Sequence, residues 1–442
     1  MQVHCILCGG LDLHKEEILM KILVIGSGGR EHAIIRKLKE SKYNPEIYCA
    51  PGNGGIAADA VCVPLSAMDV AGVVKYAKEN AMDWVFVTPD DPLAAGMVDA
   101  LNEAGVKTFG PKKLAAEIES SKVFSKNMMK QFGIPTASYE VFTNAAKALS
   151  YVESNNQFPI VIKADGLALG KGVIIAKTLT EAQKGIRDIM EDKVFGASGN
   201  QIVVEEFLTG PEVSVLAFVD GETVKPMVSS MDHKRALDND EGLNTGGMGT
   251  IAPNPFYTEE VAQQCMERIF QPTVKAMNEL GRTFTGCLYF GLMITPKGPY
   301  VIEYNCRFGD PETQVVMELL DSDLVDIMEA IWQKDLANCE VKFHDGAAAC
   351  VIIASGGYPK SYKKGCRISG LNSNGQYDGV SVYHAGTKLD EGRYLTSGGR
   401  VLGVTAKGAD LKEALDTAYA AVNRISFENA FYRHDIGAKC LK

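Results

Sequence analysis

The sequence predicts a multidomain protein of the α/β and α+β classes, and three observations lead to this prediction. At 442 residues the chain is long enough for about three domains, each with its own core. Apolar runs alternate with helix-patterned segments over residues 20–120, which is typical of a parallel sheet built from βαβ units. Residues 121–343 contain strand-loop-strand patterns, and residues 344–442 contain short strands and one helix. We therefore expect a parallel-sheet domain, a larger central domain and a small mixed β/α domain.

Composition and charge restrict the possible partners. The net charge of −10 gives no basic surface for nucleic acid, so an anionic ligand must be held by a local group of Lys and Arg side chains. No apolar run is long enough to span a bilayer. The 11 Cys residues follow no regular spacing, which favours free thiols in a reducing compartment. We expect a cytoplasmic monomer without nucleic-acid or membrane partners.

Residues 1–19 differ from the sequence that follows them. Met20 begins a run that is typical of a first strand, whereas residues 1–19 lack the layout of a signal peptide. Lys15, Glu16 and Glu17 could be encoded by a ribosome-binding sequence at a suitable distance before Met20. We hypothesise that translation begins at Met20, and the mass of the native protein would test this.

Three loops of the N-terminal region follow predicted strands, and ligands of parallel sheets bind beyond the carboxyl ends of strands. The loops are residues 26–31, 51–55 and 88–93. The first resembles a dinucleotide fingerprint, but Glu31 stands where the third glycine belongs and no acidic residue ends the second strand. NAD binding is therefore disfavoured, while capture of a phosphate or substrate at the helix end stays open.

The central region begins with a helix that carries two lysines. Its pattern starts near Ser121 and places Lys122 in the first turn and Lys126 one turn later. Gly133 and Pro135 form a stop signal for this helix.

A glycine-rich loop lies between two apolar runs further along the central region. Residues 158–164 and 173–176 predict the two strands of a hairpin, with residues 165–172 as its loop. A Walker A loop needs a longer spacer, a hydroxyl residue after the lysine and a following helix, so this loop is of another kind. Its glycines can bring backbone N–H groups close to phosphate oxygens, with Lys163 and Lys171 supplying charge. A flexible surface hairpin is the alternative.

The next predicted strand, residues 201–208, ends in two acidic and two apolar residues. Such an edge can offer backbone groups to a purine, with Phe207 and Leu208 lining the pocket and Glu212 accepting ribose hydroxyls. Acidic residues at strand ends are more often simply solvated. The loop of residues 232–249 joins charged groups to a glycine-rich turn, and it is either a mobile surface loop or one that faces substrate.

Residues 301–312 carry the most informative pattern, because polar groups alternate there with residues suited to burial. Along a strand Glu303, Asn305 and Arg307 would project on one side, with Ile302 and the other intervening residues on the opposite side. Carboxylate and amide oxygens suit Mg²⁺, and Arg offers a planar fork for anionic oxygens. This combination suggests phosphoryl transfer, whereas a solvated strand face is the alternative.

A helix is predicted after this strand, with Pro311 at its first position and apolar residues at helical spacing as far as Ile331. Asp310 could be only a cap of that helix, and Glu312 could serve only its dipole.

The last block has three predicted strands and one helix whose apolar spacing from Leu411 indicates a core position. Arg400, next to two glycines, could hold a phosphate, although a solvated Arg is the commoner case. The strands are expected near residues 347–354, 380–384 and 400–405.

Taken in order, these motifs resemble the ATP-grasp fold and, more narrowly, the glycinamide ribonucleotide synthetase (phosphoribosylamine–glycine ligase) family. The resemblance runs from Met20 to the C-terminus and depends on short motifs at residues 25–33, 163–168, 232–235, 244–249 and 305–314. It implies an ATP-grasp fold preceded by a Rossmann-like parallel-sheet domain and followed by a small mixed β/α domain. The implied parts are a non-family extension (1–19), a pre-ATP-grasp domain (20–120), an ATP-grasp domain (121–343, with a mobile lid at about 140–208) and a C-terminal domain (344–442).

Two departures from the family pattern are present. The family usually has Pro-Glu-Ala-Pro-Leu where this chain has Pro-Asp-Asp-Pro-Leu at residues 89–93, which leaves the substrate contacts of that loop open. Residues 1–19 have no counterpart in the family.

The resemblance implies that ATP, glycine and 5-phosphoribosylamine react to give glycinamide ribonucleotide, ADP and phosphate in de novo purine biosynthesis. ATP and Mg²⁺ (or Mn²⁺) would be the cofactors, and glycine and 5-phosphoribosylamine the small-molecule substrates. A carboxylate is a poor electrophile, so ATP would convert glycine into an acyl phosphate that the ribosylamine nitrogen can attack. The protein would then act by positioning and charge stabilisation.

The same resemblance assigns roles to individual residues. Glu303 and Asn305 would hold the metal ion, and the catalytic residues would be Arg307, Lys163 and Asp232. The residues expected to hold ATP are Lys122, Lys163, Gly166, Gly170, Lys171, Gly172, Glu205, Phe207, Leu208 and Glu212. Those expected to hold the two substrates are Gly28, Gly29, Arg30, Asn53, Asp232, Asn244, Thr245, Gly246, Gly247, Asp310 and Arg400.

Two other functions stay open. A different ATP-grasp carboxylate–amine ligase would share the ATP machinery and differ in its acceptor. A non-catalytic nucleotide sensor belongs to another class, but it would have no need of Arg307.

Overall fold

The computed structural model describes residues 19–155, 157–167 and 172–441 of the 442-residue chain. The hypothesis of a start at Met20 concerns residues 1–18, which lie outside the described residues. Two residues expected to hold ATP, Gly170 and Lys171, lie outside them as well.

The N-terminal region forms the predicted parallel sheet, in the strand order β3-β2-β1-β4-β5. The strands are β1 (Lys21–Gly26), β2 (Glu46–Pro51), β3 (Val61–Cys62), β4 (Trp84–Val87) and β5 (Lys107–Phe109). The helices are α1 (Gly29–Lys39), α2 (Val70–Glu79), α3 (Asp90–Ala95), α4 (Met97–Glu103) and α5 (Lys113–Ser120).

The strand order creates a crevice at the carboxyl end of β1. This strand lies between β2 and β4, so the chain leaves it toward one side of the sheet and later returns on the other. Loops that follow such strands border a ligand-binding crevice. The side chains of residues 22–25 are fully buried, as expected for a strand covered on both faces. The three loops singled out in the sequence all begin at this edge.

Helix α6 (Lys122–Phe132) opens the central region and has the predicted ends. The Ser121 hydroxyl accepts a hydrogen bond from the N–H of Phe124, a cap that typically contributes about 1 kcal/mol. Gly133 ends the helix with a φ of +67°, a left-handed conformation that glycine adopts without steric cost. Lys122 therefore lies in the first turn.

A four-stranded antiparallel sheet follows, in the order β6-β9-β7-β8. Strands β7 and β8 pair as the two arms of the predicted glycine hairpin. Because β7 is an inner strand, Lys163 projects from the middle of this sheet. The elements are β6 (Tyr139–Phe142), α7 (Ala145–Asn155), β7 (Ile160–Ala164), β8 (Val173–Ala176), α8 (Leu179–Met190) and β9 (Ile202–Glu206).

A second antiparallel sheet of the central region has the order β11-β10-β16-β17. Its last strand, β17, carries Glu303 and Asn305. The elements of this part are β10 (Glu212–Val219), β11 (Val224–Pro226), β12 (Met231–Asp232), β13 (Arg235–Leu237), β14 (Glu241–Asn244), β15 (Gly249–Ala252), α9 (Glu259–Cys265), α10 (Gln271–Glu279), β16 (Gly286–Thr295) and β17 (Gly298–Asn305).

The helix predicted after residue 310 differs from the expectation in two respects. Pro311 precedes the first helical residue instead of occupying it, and the apolar run is divided into α11 (Glu312–Leu319) and α12 (Leu324–Gln333). The division occurs because the chain becomes extended at Leu320 and the Asp323 carboxylate caps a new helix through the N–H of Val325. Helical spacing of apolar residues alone did not reveal this break.

The C-terminal region contains the predicted strands and the predicted helix. Its elements are β18 (Ala347–Ser355), β19 (Ser381–His384), β20 (Thr387–Asp390), β21 (Arg393–Thr396), β22 (Arg400–Gly408), α13 (Leu411–Val422) and β23 (Ala430–Phe431). The main sheet has the order β12-β15-β18-β22-β19, with β23 beside β18. Residues 231–252 of the central region thus pair with the C-terminal sheet, which the sequence did not indicate.

A cluster of phenylalanine rings joins these parts beneath the site. Phe308 packs against Phe86 and Phe109 of the N-terminal sheet and Phe218 of β10, with ring centroids 6.0–6.1 Å apart. Its side chain is 1% exposed, so the backbone next to Arg307 is firmly anchored. In the described part of the chain, no helix is both long and apolar enough to cross a membrane.

Candidate active site

The two central sheets meet at a cleft where β7 faces β17. The Lys163 ammonium donates a hydrogen bond of 3.0 Å to the carbonyl of Ile302 and so joins strands of different sheets. Close by, the Thr136 hydroxyl donates to the Val301 carbonyl at 2.8 Å. The lysine predicted to hold phosphate and the strand predicted to hold metal are therefore neighbours.

Glu303 and Asn305 project on the same face of β17, whereas Tyr304 and Cys306 are buried on the other. Ile302 does not join the buried face as expected. Gly291 of β16 pairs with Glu303 and the next residue pairs with Val301, so Ile302 is the extra residue of a bulge. The bulge turns the Ile302 carbonyl toward Lys163.

The two oxygen donors of β17 fit a Mg²⁺ ion. Such an ion usually binds through one or two protein oxygens and completes its shell with water and substrate phosphates. Among the described residues there is no cluster of three or more His, Cys, Asp or Glu that would form a closed metal cage. An open pair of donors is what a metal shared with a phosphate ligand requires.

Lys122 and the start of the glycine-rich loop hold each other in place. The Lys122 ammonium donates to the Gly166 carbonyl at 2.6 Å, and the Asp165 carboxylate accepts from the N–H of Val123 at 3.1 Å. Gly166 has a φ of +130°, and a side chain there would collide with Ser198. Burial lowers the pKa of Lys122, while Glu303 nearby opposes this shift. Lys122 thus lies within electrostatic reach of Glu303 on β17.

Glu205 occupies a different environment from the one expected. Its side chain is buried, with Lys126 at 2.9 Å from one oxygen and Lys163 at 3.1 Å from the other. The carboxylate is therefore committed to two lysines and is not a free group at a strand end. Phe207 and Leu208 remain at the mouth of the cleft, where Phe207 is 37% exposed and available to a purine.

Arg307 is held by a buried acid that the sequence did not single out. The Glu119 carboxylate, at the end of α5, lies 3.0 Å from the Arg307 guanidinium and also accepts the N–H of Cys306 at 2.7 Å. Burial raises the pKa of Glu119, and Arg307 opposes this shift. Within the part of the chain that the structure describes, the buried Arg307 Nε–H has no hydrogen-bond partner.

Asp232 and Lys234 form an ion pair of 2.8 Å on the opposite wall of the cleft. The buried carboxyl of Glu312 belongs to the same group of charges. Burial, together with the nearby Asp232, raises the pKa of Glu312 to about 7. Glu312 is thus buried among other charges as well as lying in the first turn of α11.

Arg400 connects the C-terminal sheet to the substrate turn. Its guanidinium donates to the backbone carbonyls of Gly246 (2.8 Å) and Asp310 (2.7 Å) and lies 3.0 Å from the Asp310 carboxylate. It is neither solvated nor free, so it braces residues 244–247 against Asp310. A side chain at Gly247, which has a φ of +116°, would collide with Pro311.

Asp310 is not a helix cap, because α11 has no side-chain cap. Burial would raise the pKa of its carboxyl, but Arg400 and Arg30 lower it below the ordinary value. Its carboxylate also accepts from the Gln314 amide at 2.8 Å. Asp310 is thus an ionised group fixed at the junction of the three regions.

Known proteins match the chain over nearly its full length. Models of phosphoribosylglycinamide synthetase match in succession: the N domain over residues 20–119, the ATP-grasp (A) domain over residues 120–313 and the C domain over residues 348–439. The phosphoribosylamine–glycine ligase of Clostridium acetobutylicum is 47% identical over 418 residues, covering 95% of this chain and 99% of that protein. This chain belongs to the phosphoribosylglycinamide synthetase family.

Further relatives of this synthetase family agree with the assignment. The phosphoribosylamine–glycine ligase of Halalkalibacterium halodurans is 48% identical over 96% of this chain and 97% of its own length. The trifunctional purine biosynthetic protein adenosine-3 of Gallus gallus is 46% identical over 95% of this chain, which spans 42% of that longer protein.

Solved structures show the same architecture. The phosphoribosylamine–glycine ligase of Thermotoga maritima has a TM-score of 0.83 at 31% identity and covers 94% of this chain and 100% of its own. The biotin carboxylase domain of Hydrogenobacter thermophilus 2-oxoglutarate carboxylase, at 18% identity, has a TM-score of 0.71 and covers 93% of this chain and 91% of its own. The second likeness shows the fold alone.

The first N-terminal loop of this synthetase-family chain explains why its fingerprint is broken. The Glu31 carboxylate turns back and accepts the N–H of Gly28 at 2.5 Å, in the position that a dinucleotide phosphate would need. Arg30 pairs with Glu31 at 2.6 Å and donates to the Phe308 carbonyl at 3.1 Å. The loop is thus joined to the backbone beside Arg307.

Asn53 was expected to bind substrate, but its amide is fully used inside the protein. It donates to the carbonyls of Ser27 and His384 and accepts from the N–H groups of Gly55 and Ile56. These four bonds exhaust its donors and its two acceptor positions. Asn53 joins two N-terminal loops to the C-terminal sheet, and we do not retain it as a substrate ligand.

The loop that departs from the family pattern borders the same cluster. Asp90 and Asp91 begin α3, where the family has Glu and Ala. Asp90 is close enough to Arg307 to help raise the pKa of its guanidinium, although Glu119 contributes more. Asp90, although shorter than the Glu of the family, therefore still lies near the charges of the site.

Glu119, Lys126 and Gln314 are the polar residues that sequence reasoning missed as parts of the site. Each lies within a helix, and no local signal marks Glu119, whereas Gln314 ends the short family motif of residues 305–314. Only the position of Lys126 one turn after Lys122 indicated that it shares a helix face with a site residue.

Proposed function

We propose that this protein joins glycine to 5-phosphoribosylamine at the expense of ATP, through a glycyl phosphate, to give glycinamide ribonucleotide, ADP and phosphate. The observation that carries the proposal is the cleft in which Lys122, Lys163 and Arg307 surround the open pair of oxygen donors on β17. In a chain of the synthetase family, this is the arrangement that phosphoryl transfer to a carboxylate needs.

Glu303 and Asn305 are the residues that would hold Mg²⁺, which when bound offsets the charge on the ATP phosphates. A carboxylate and an amide oxygen are hard donors that also suit Mn²⁺, so either ion could occupy this site. Arg307 would donate to the transferring phosphoryl group, and among the described residues its Nε–H has no hydrogen-bond partner.

The nucleotide would lie between the two central sheets. Lys122 and Lys163 would contact its phosphates, the backbone of residues 166 and 172 would border them, and Phe207, Leu208 and Glu212 would border the adenosine. The sheet formed by β6, β9, β7 and β8 is proposed as the lid. Closure of the lid would protect the acyl phosphate from water.

The two substrates would lie on the wall formed by Asp232 and the turn of residues 244–247. Asp310, kept ionised by Arg400, can receive the amino group of glycine or the ribosylamine. Gly28, Gly29 and Arg30 border the crevice where the ribose phosphate would lie. Arg400 would act there as a brace for the turn, because four acceptors already surround its guanidinium.

We further propose that the protein is a cytoplasmic monomer without nucleic-acid or membrane partners. The support is indirect: nine cysteines of the described residues have free thiols, as in a reducing compartment, and the net charge is −10.

The decisive test is the substrate dependence of ADP release. We expect release only when glycine and freshly generated 5-phosphoribosylamine are both present with MgATP. Reactions with bicarbonate or D-alanine in place of glycine serve as controls. If ADP is released with bicarbonate or D-alanine but not with glycine, the protein has a different carboxylate–amine ligase activity.

A further inference from the structure

Two buried lysines share one buried carboxylate at the hinge of the proposed lid. Lys126 comes from α6, while Glu205 and Lys163 come from the neighbouring strands β9 and β7. The three side chains are 3–5% exposed. Two cations therefore surround one anion in a place that water barely reaches.

The two lysines differ in the partners that they have besides Glu205. Lys126 lies 2.9 Å from Glu205, donates to the Thr136 hydroxyl at 2.8 Å and lies 5.7 Å from the centre of the Tyr139 ring. Lys163 lies 3.1 Å from the other carboxylate oxygen, and neither lysine makes an aligned hydrogen bond with the carboxylate. The aligned bond of Lys163 goes instead to the Ile302 carbonyl across the cleft.

Each lysine thus shares Glu205 with a second acceptor, Lys126 with Thr136 and Lys163 with Ile302 of the facing strand. If Lys163 turned toward a phosphate, Glu205 would still have a cation at 2.9 Å. Without Lys126, the same movement would leave a buried carboxylate with no counter-ion, which is strongly unfavourable. Lys163 would then stay with Glu205, and a nucleotide would lose one of its phosphate contacts.

We propose that Lys126 is a positioning residue that keeps Glu205 neutralised and thereby frees Lys163 for the phosphates of the nucleotide. The inference rests on the proposed function, because it takes Lys163 as a phosphate ligand. The lowered pKa of Lys126, about 8 because of burial, agrees with a lysine kept charged mainly by Glu205.

The test measures MgADP binding to the full-length protein by calorimetry. Lys126→Met is expected to weaken binding by about tenfold or more, because Lys163 stays with the buried anion. Lys130→Met is the matched control: Lys130 is on the same helix and also lies 5.7 Å from the Tyr139 ring, but it is exposed and has no contact with Glu205. The control is expected to bind as the unmodified protein does.

A second substitution separates this role from a purely structural one. Adding Glu205→Gln to Lys126→Met removes the anion that holds Lys163, so binding should recover by about tenfold over Lys126→Met alone. A purely structural Lys126 would predict no recovery. If Lys126→Met alone does not fold, the MgADP affinity of Glu205→Gln is compared with that of the double variant. These two affinities should agree within about threefold.

Three outcomes would overturn the inference. They are undiminished MgADP binding by Lys126→Met, no recovery of MgADP binding in the double variant, or more than a tenfold difference in affinity between Glu205→Gln and the double variant. Lys163→Ala tests the underlying assignment separately. If that variant binds MgADP as the unmodified protein does, the proposed phosphate contact of Lys163 is wrong. If it binds weakly while Lys126→Met binds normally, only the role of Lys126 fails.

Discussion

Glu312 shows how burial sets the chemistry of one residue in the cleft. Its carboxyl is 4% exposed and lies near Asp232, so loss of its proton would place two anions close together in a poorly solvated place. Lys234 offsets part of this cost, and its own pKa is raised mainly by Asp232 against the effect of burial. The local sequence suggested only a helix-dipole role for Glu312, because the acid that faces it is 80 residues away in the chain.

The raised pKa of Glu312 predicts a pH-dependent stability. The folded protein retains this proton up to about pH 7, whereas the unfolded chain releases it near pH 4.5. The free energy of unfolding should therefore fall as the pH rises between these values, by on the order of 3 kcal/mol from this group. Above pH 7 this group should cause no further loss of stability.

Denaturant unfolding of the native protein and of Glu312→Gln at pH 5 and pH 8 measures this effect. The variant should be more stable relative to the native protein at pH 8 than at pH 5, because it has no carboxyl to ionise. An identical difference at both pH values would show that Glu312 does not titrate in this range.

The last turn of helix α5 orients Arg307, a residue of the central region. Glu119 accepts the N–H of Cys306 and pairs with Arg307, so the end of this N-terminal helix fixes the start of the loop after β17. The buried side chains of Ala115, Ala116 and Ile118 pack this helix against the protein and so support its last turn. The sequence analysis predicted neither this helix in particular nor its partner.

We predict that Glu119→Gln lowers kcat by about tenfold while the KM for ATP changes little, because the guanidinium loses its counter-ion and its orientation. Arg307→Ala should lower kcat by roughly a hundredfold while ATP still binds. Steady-state kinetics of the two single variants and the double variant provide the measurement. The effect of Glu119→Gln should disappear in the Arg307→Ala background.

Glu117→Gln is the matched control for this experiment. Glu117 lies on the same helix and pairs with Arg282 at 2.6 Å near the surface, away from Arg307. Equal losses in Glu117→Gln and Glu119→Gln would indicate a general effect on the helix. Additive effects of Glu119→Gln and Arg307→Ala would show that Glu119 does not act through Arg307.

At the scale of the whole molecule, the three regions meet around Asp310. Arg400 from the C-terminal sheet, Arg30 from the first N-terminal loop and the turn of residues 244–247 all lie against it or its neighbours. A second junction joins the N-terminal and C-terminal regions: Asn53 donates to the His384 carbonyl, and His32 accepts from the N–H of His384. The proposed substrate wall is therefore a property of the assembled chain and not of one domain.

We predict that Arg400→Ala loosens this wall without unfolding the protein. The turn of residues 244–247 would lose its bonds to the guanidinium, and Asp310 would lose its closest cation. Hydrogen exchange of residues 244–249 should become faster, and the KM of a substrate should rise by about tenfold. Arg393→Ala, at an exposed ion pair of 3.5 Å, is the control and should change neither quantity. Unaltered exchange of the turn in Arg400→Ala would contradict the bracing role.

Much of the fold followed from local rules in the sequence. The limits of α6 follow from Ser121 and Gly133, the parallel sheet from the alternation of apolar runs and helices, and the hairpin of β7 and β8 from its glycines. The family, and with it the types of residue at the site, also followed from short motifs. These features depend on residues that are close together in the chain.

The sequence by itself determined the order of the domains, the glycine-rich hairpin of β7 and β8 and the shared face of Glu303 and Asn305. The tertiary structure alone decided which groups neutralise which: Glu119 with Arg307, Lys126 and Lys163 with Glu205, and Arg400 with Asp310. The physical reason is that a buried charge needs a partner in space, and long-range folding selects that partner from distant parts of the chain. Alternation and spacing can place a charged side chain on a face, but they cannot show what lies opposite it.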